Sequence, residues 1–186
     1  MALIKSGNAY CKELLFNFGS LPTDLKMTYK LTYFDERNRA EPLRLIFEYA
    51  GQKFEDIRLN DQEFLKQRNS FPNGQLPVLE FDNGKVLGQS GSIIRFLARK
   101  FNLVGSNETE AARADEVFET YKDRLNEQIP YIMFKVGDPN FKDGEKYYKD
   151  GYLPASKRAL KYYDEVIGDK QFVLNSGPKL CRLCSR

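Results

Sequence analysis

Few side chains in this sequence are placed for chemistry, and they fall in three short stretches. Tyr33 ends an alternating run, Tyr29-Lys30-Leu31-Thr32-Tyr33, beside the polar loop Asp35-Glu36-Arg37-Asn38, where a phenol hydroxyl can reach a bound ligand. Further on, Asn73-Gly74-Gln75-Leu76-Pro77 leads into the apolar run Val78-Leu79-Glu80-Phe81. A proline before a buried strand cannot donate to its ladder, so Pro77 marks either a strand start or a cis peptide exposing the amide and carbonyl of Leu76. Gln89-Ser90 then precedes Ile93, Ile94, Phe96, Leu97 and Phe101 at helical spacing. That pattern makes Ser90 the expected N-cap of a helix whose first amides face outward and offer a seat for a carboxylate. Together these groups suit a small peptide held by its backbone and its acid group. They equally suit a plain hairpin and a capped helix, and tyrosine is a good strand former in its own right.

Composition removes several other chemistries. The sequence has no histidine, which rules out histidine-based triads and most zinc sites. Of its three cysteines, Cys11 lies near the start and Cys181 and Cys184 near the end, a lone C-x-x-C without further ligands, so no metal is expected. Any sulfur chemistry between Met27 and Leu180 must therefore come from a ligand. A formal charge of +3, with signs mixed along 186 residues, makes no electrostatic case for nucleic acid. No apolar run approaches a bilayer span, and Leu14-Leu15-Phe16 is too short for a signal-peptide core, so the expected location is cytoplasmic, with no membrane partner.

The elements that must position these residues follow from periodicity. Residues 1–26 show no sustained period beyond a turn of helix at Glu13 to Phe18 and read as an N-terminal extension. A strand ending at Phe34, a helix from about Arg39 to Ala50 stopped by Gly51, a strand from Phe54 to Leu59 and a short helix from Asp61 to Arg68 come next. The hairpin of Val78–Phe81 and Lys85–Leu87 about Asp82-Asn83-Gly84, and the helix after Ser90, complete β-α-β-α-β-β-α, a thioredoxin-like domain over 27–103. Strands then stop. Residues 104–173 read as an all-α domain: a long amphipathic helix over Glu110 to Val136, kinked at Pro130, then a helical stretch broken at Gly151 to Pro154 and ended by Gly168. Residues 174–186 form an atypical tail that completes no core.

The ordered set Lys30-Leu31-Thr32-Tyr33-Phe34, Arg37-Asn38-Arg39-Ala40-Glu41, Gln75-Leu76-Pro77-Val78-Leu79 and Gln89-Ser90, ahead of an all-helical half, resembles the cytosolic glutathione transferases. The likeness is closest to the sigma class, which includes glutathione-dependent prostaglandin D synthases, and extends from Met27 to about Val173. It implies a homodimer that binds glutathione as co-substrate and a small electrophile. By the same resemblance, Tyr33 matches the catalytic tyrosine and Arg39 an arginine under the thiol. Gln75 and Leu76 match the segment clamping the cysteinyl backbone, Gly74 belongs to the glutathione-binding set, and Gln89 and Ser90 match the pair holding the γ-glutamyl group. Arg68 stands where a lysine usually meets the glycine carboxylate, and Asp123 matches an acid reaching the γ-glutamyl amine from the other subunit. Glu36, Lys122 and Leu125 fall in the expected electrophile pocket.

Departures from the pattern carry their own expectations. Phe64 replaces a common tryptophan donor, which lowers the expected affinity for glutathione. Lys122 and Glu119 replace usual acidic neighbours of Asp123, again arguing against a metal. Relatives continue through further helices after Phe172-Val173, so the helical domain reads as truncated and less stable than a longer parent. Energetically the chemistry is feasible: ionising a thiol of pKa about 8.5 at neutral pH needs about 2.7 kcal/mol, and a hydrogen bond to a charged acceptor supplies about 1.5 to 3. Conjugation, peroxide reduction and endoperoxide isomerisation share this thiolate. Two other readings remain open, a catalytically weak or inactive glutathione-binding member of the fold and an interaction module using an exposed apolar face.

Overall fold

Alternation in the opening strand buries Leu31 and Tyr33 while Lys30, Thr32 and Phe34 stay partly exposed, so this strand becomes the interior strand of a sheet. In the computed structural model, which describes residues 28–82 and 84–177, β1 (Lys30–Phe34) pairs in parallel with β2 (Glu55–Leu59) and antiparallel with β3 (Val78–Phe81). β3 in turn pairs antiparallel with β4 (Lys85–Gly88), giving the order β2-β1-β3-β4. This is the thioredoxin-like sheet expected from the sequence. The proposed extension at 1–26, Met27, Asn83 of the hairpin turn and the residues from 178 onward, with all three cysteines, lie outside the described residues.

Helices α1 (Glu41–Ala50) and α3 (Ser90–Lys100) pack together and bury Leu43, Ile46, Phe47, Ile93, Ile94 and Leu97 in the core with Leu31 and Leu79. A short 3-10 turn, Asn38–Ala40, precedes α1, and Gly51 ends it in the left-handed conformation at φ 63°, where glycine carries no Cβ penalty. Helix α2 (Asp61–Gln67) starts from a reciprocal cap between Asn60 and Glu63.

The helical half begins with α4 (Glu108–Lys135), which includes Pro130 without ending there. Asn107 caps it, and Ala114, Val117 and Phe118 join the same core as the sheet domain. After α5 (Gly144–Lys146) the expected break at Gly151 to Pro154 is instead absorbed by a π-helical turn, Tyr147–Tyr152, which runs directly into α6 (Leu153–Ile167). Pro154 lacks an N–H and its ring crowds the preceding turn, and a wider turn relieves that conflict without stopping the helix. Gly151 lets this turn approach α4 closely: a Cβ there would lie 2.8 Å from the Glu127 carbonyl oxygen. Leu174, read from sequence as the first residue of the tail, is 3% exposed and packs into the core beside Val173.

Candidate functional site

Turn geometry builds the first wall of the site. Asn73 and Gly74 both take positive φ, 54° and 59°, and turn the chain so that Gln75 enters extended. The Leu76-Pro77 peptide is cis. Gln75 Oε1 accepts from Asn73 Nδ2 at 3.1 Å and from Gln89 Nε2 at 2.9 Å, which ties this turn to the start of α3. Arg68 donates from Nε to the Gly74 carbonyl at 3.3 Å.

Ser90 is not the N-cap. Gln89 occupies that position with φ 66° and ψ 112° and no side-chain cap bond, and its carbonyl accepts from the amides of Ser92 and Ile93. The local sequence pointed to the hydroxyl residue, but the tie between Gln75 and Gln89 draws the Gln89 side chain away from the helix. Ser90 is therefore the first helical residue. Its N–H and that of Gly91 have no intrahelical acceptor, so the positive end of α3 remains available to an anion.

These groups face one cavity of about 400 Å³ lined by Gly74, Gln75, Leu76, Pro77, Gln89 and Ser90, with Phe34, Arg39 and Phe64 on the remaining side. Phe64 meets Phe34 edge-on at 5.1 Å between ring centroids and stacks on Phe71. Tyr33 does not itself line the cavity and is 3% exposed. It adjoins Phe34 in the chain, and its hydroxyl accepts the main-chain N–H of Arg39 and donates to the Glu36 carboxylate. Burial, reinforced by the facing Glu36 carboxylate and opposed by Arg39, pushes the Tyr33 pKa above the ordinary phenol range. Tyr33 is thus a protonated donor at neutral pH, suited to bonding an anion and unsuited to acting as a base.

A second cavity, about 740 Å³, lies between the sheet domain and the C-terminal end of α4 and shares Phe34 with the first. Glu36 lines it, together with Met133, Val136 and Pro139. Lys122 and Leu125, expected beside Glu36, are not among its walls. Lys122 pairs with Glu119, which also pairs with Arg95, and Leu125 is buried at 6% exposure. Asp123 sits exposed on α4. A third cavity, lined by Thr28, Phe54 and Phe81 among others, lies at the opposite end of β1 from Tyr33.

Two supporting residues escaped the sequence reading. Arg44, 7% exposed, donates to the Glu36 carbonyl at 2.8 Å and pairs with Asp56 at 3.1 Å, fixing the loop after Tyr33. An arginine inside an amphipathic helix reads as surface from spacing alone. Tyr121 donates to the Asn38 carbonyl at 3.1 Å, linking that loop to α4. No group of three or more potential ligands among the described residues is arranged to hold a metal ion.

Residues 29–99 match the family model described as "Glutathione S-transferase, N-terminal domain". A probable glutathione S-transferase 6 of Caenorhabditis elegans is 42% identical over 153 residues, covering 80% of this chain and 72% of that protein. The chain belongs to the glutathione S-transferase family. Glutathione is the co-substrate of this family of enzymes. Probable glutathione S-transferase 8 of the same nematode is 46% identical over 132 residues, 70% of this chain and 62% of its own length. The hematopoietic prostaglandin D synthase of Gallus gallus is 38% identical, over 77% of this chain and 69% of that one. Among solved structures, a Nu-class glutathione transferase from Haemonchus contortus superposes with a TM-score of 0.73 at 38% identity, covering 85% of this chain and 78% of that one. A sigma-class transferase from Fasciola hepatica gives 0.71 at 28% identity, covering 86% and 76%. No helix among the described residues is long and apolar enough to cross a membrane.

Proposed function

We propose that this chain binds glutathione in the 400 Å³ cavity and joins it, through its sulfur, to a small electrophile held in the adjoining 740 Å³ cavity. The observation that carries the reading is the convergence of the cis Leu76-Pro77 peptide and the free amides at the start of α3 on one cavity whose wall, Arg39, hydrogen-bonds Tyr33. In this reading the exposed amide and carbonyl of Leu76 pair with the cysteinyl backbone. Gln89 and Ser90 receive the γ-glutamyl carboxylate, with Gly74 and Gln75 lining its path. Arg68 meets the glycine carboxylate, Phe64 packs against the tripeptide, and Asp123 of a second subunit reaches the γ-glutamyl amine. Tyr33 donates to the thiolate, and Arg39 adds positive charge.

The finer assignments belong to the same proposal. Likeness to both sigma-class and Nu-class transferases supports a place among sigma-related enzymes. A homodimer in the cytoplasm, with domains at 27–103 and 104–173, completes the reading. Peroxide reduction and endoperoxide isomerisation draw on the same thiolate. Phe64, which cannot donate where a donor is usual, favours a second reading in which the chain binds glutathione and turns it over slowly or not at all.

Retention of the purified chain on immobilised glutathione, followed by conjugation of 1-chloro-2,4-dinitrobenzene, tests both. Retention with turnover supports the transferase, retention without turnover the second reading, and failure to bind removes both.

A further inference from the structure

The 740 Å³ cavity has an unusual balance for a pocket meant to hold an apolar electrophile. Its apolar walls, Leu59, Met133, Val136 and Pro139, are accompanied by four carboxylates, Asp35, Glu36, Asp61 and Asp138, and by no lysine or arginine among the described residues. Asp35 is neutralised by Arg58 at 2.8 Å. The other three are in no ion pair among the described residues: Glu36 accepts from the Tyr33 hydroxyl and, at 3.3 Å, from the neutral amide of Asn38, and Asp138 accepts from the amide and side chain of Asn140. The three come from separate segments, the loop after β1, the first turn of α2 and the loop after α4. Among the described residues no three potential ligands are arranged to hold a metal ion. The Glu36 bond to the Tyr33 hydroxyl ties this negative charge to the place where the sulfur would sit.

We infer that the second substrate of this chain is a cationic electrophile, an apolar body bearing an amine or quaternary ammonium, with Glu36 as the specificity-determining residue. The inference rests on the glutathione-transfer reading and adds to it the charge class of the acceptor. Three carboxylates lining one surface groove attract a cation and repel an anion of the same shape, over distances that salt screens. The reaction is a substitution: the thiolate forms the S–C bond, the C–Cl bond breaks, chloride leaves with the electron pair, and the thiol proton passes to solvent.

The test uses three chloronitrobenzenes carrying a trimethylammonium group, no charge or a carboxylate, each rate divided by its uncatalysed rate with glutathione. The cationic compound should exceed the anionic one in normalised kcat/KM by about tenfold or more at low salt, the effect of one partly screened charge, and the gap should narrow as salt rises. Glu36→Gln should reduce the preference at least threefold, and Asp61→Asn, away from Tyr33, should move it the same way. Equal normalised rates for the three compounds, or a preference indifferent to both substitutions and to salt, overturn the inference and leave the transferase intact. No turnover of any compound removes the transfer reading and this inference with it.

Discussion

Arg39 donates from Nη2 to Oδ1 of Asn126 at 2.6 Å, so the residue whose main-chain N–H supports Tyr33 is itself anchored on α4. The loop carrying the phenol is therefore held by the helical half, with Tyr121 bonding the Asn38 carbonyl as a second tie. This coupling explains why the site spans both halves although its ligand-facing groups come mostly from the sheet domain.

Replacing Tyr33 with phenylalanine removes one hydrogen bond to a charged sulfur, about 1.5 to 3 kcal/mol, and should lower kcat for conjugation about ten- to hundredfold. Because Tyr33 stays protonated, the wild-type rate should rise with pH through the thiol ionisation alone and show no phenol limb below pH 9. Steady-state kinetics over pH 5.5–9 check both.

Glu36 opposes ionisation of a nearby thiol, since like charges disfavour the anion. Glu36→Gln should therefore shift the midpoint of the rate-against-pH curve for a neutral electrophile to lower pH. A midpoint that stays in place would mean that the carboxylate is too distant or too well screened to act on the sulfur.

Phe64→Trp restores a ring N–H beside the glutathione cavity. One neutral hydrogen bond contributes about 0.5 to 1.5 kcal/mol, so the dissociation constant for glutathione should fall about two- to tenfold in isothermal titration.

Glu110 links the start of α4 to the chain near its described end, accepting from the Ser176 amide at 3.1 Å and from the amide and hydroxyl of Ser106 at 2.8 and 2.7 Å. The Ser176 hydroxyl, then the Ser106 amide and hydroxyl, lower its pKa from 4.5 to about 2. A carboxyl depressed in the folded state stabilises fully above its unfolded pKa and loses that contribution as pH falls through the folded one, so the window runs from about 4.5 down to about 2. Glu110→Gln should lower the melting temperature at pH 6 and flatten its decline across that window, read by circular dichroism.

Gly151→Ala places a methyl 2.8 Å from the Glu127 carbonyl oxygen, a main-chain atom that can yield only if α4 and the π turn separate. Such overpacking costs about 1 to 3 kcal/mol, visible as a lower urea midpoint.

What the sequence determined by itself was whatever local period and backbone chemistry dictate. Alternation located β1, i/i+3/i+4 spacing located α1, α3 and α4, glycine set the end of α1, and proline before an apolar run marked the bend at Leu76-Pro77. The family pattern added candidate roles for Tyr33 and Gln89. Tertiary structure decided the rest, because those outcomes depend on partners distant in the chain. Gln89 displaced Ser90 from the cap once its side chain met Gln75, Pro154 was accommodated by a π turn packed on α4, and Arg44 was buried by finding Asp56. Gln75 and Gln89 lie 14 residues apart and Arg44 and Asp56 12, beyond the short periods that a sequence displays. The acidic cavity beside Tyr33 arises in the same way, from segments that meet only when the helical half closes on the sheet.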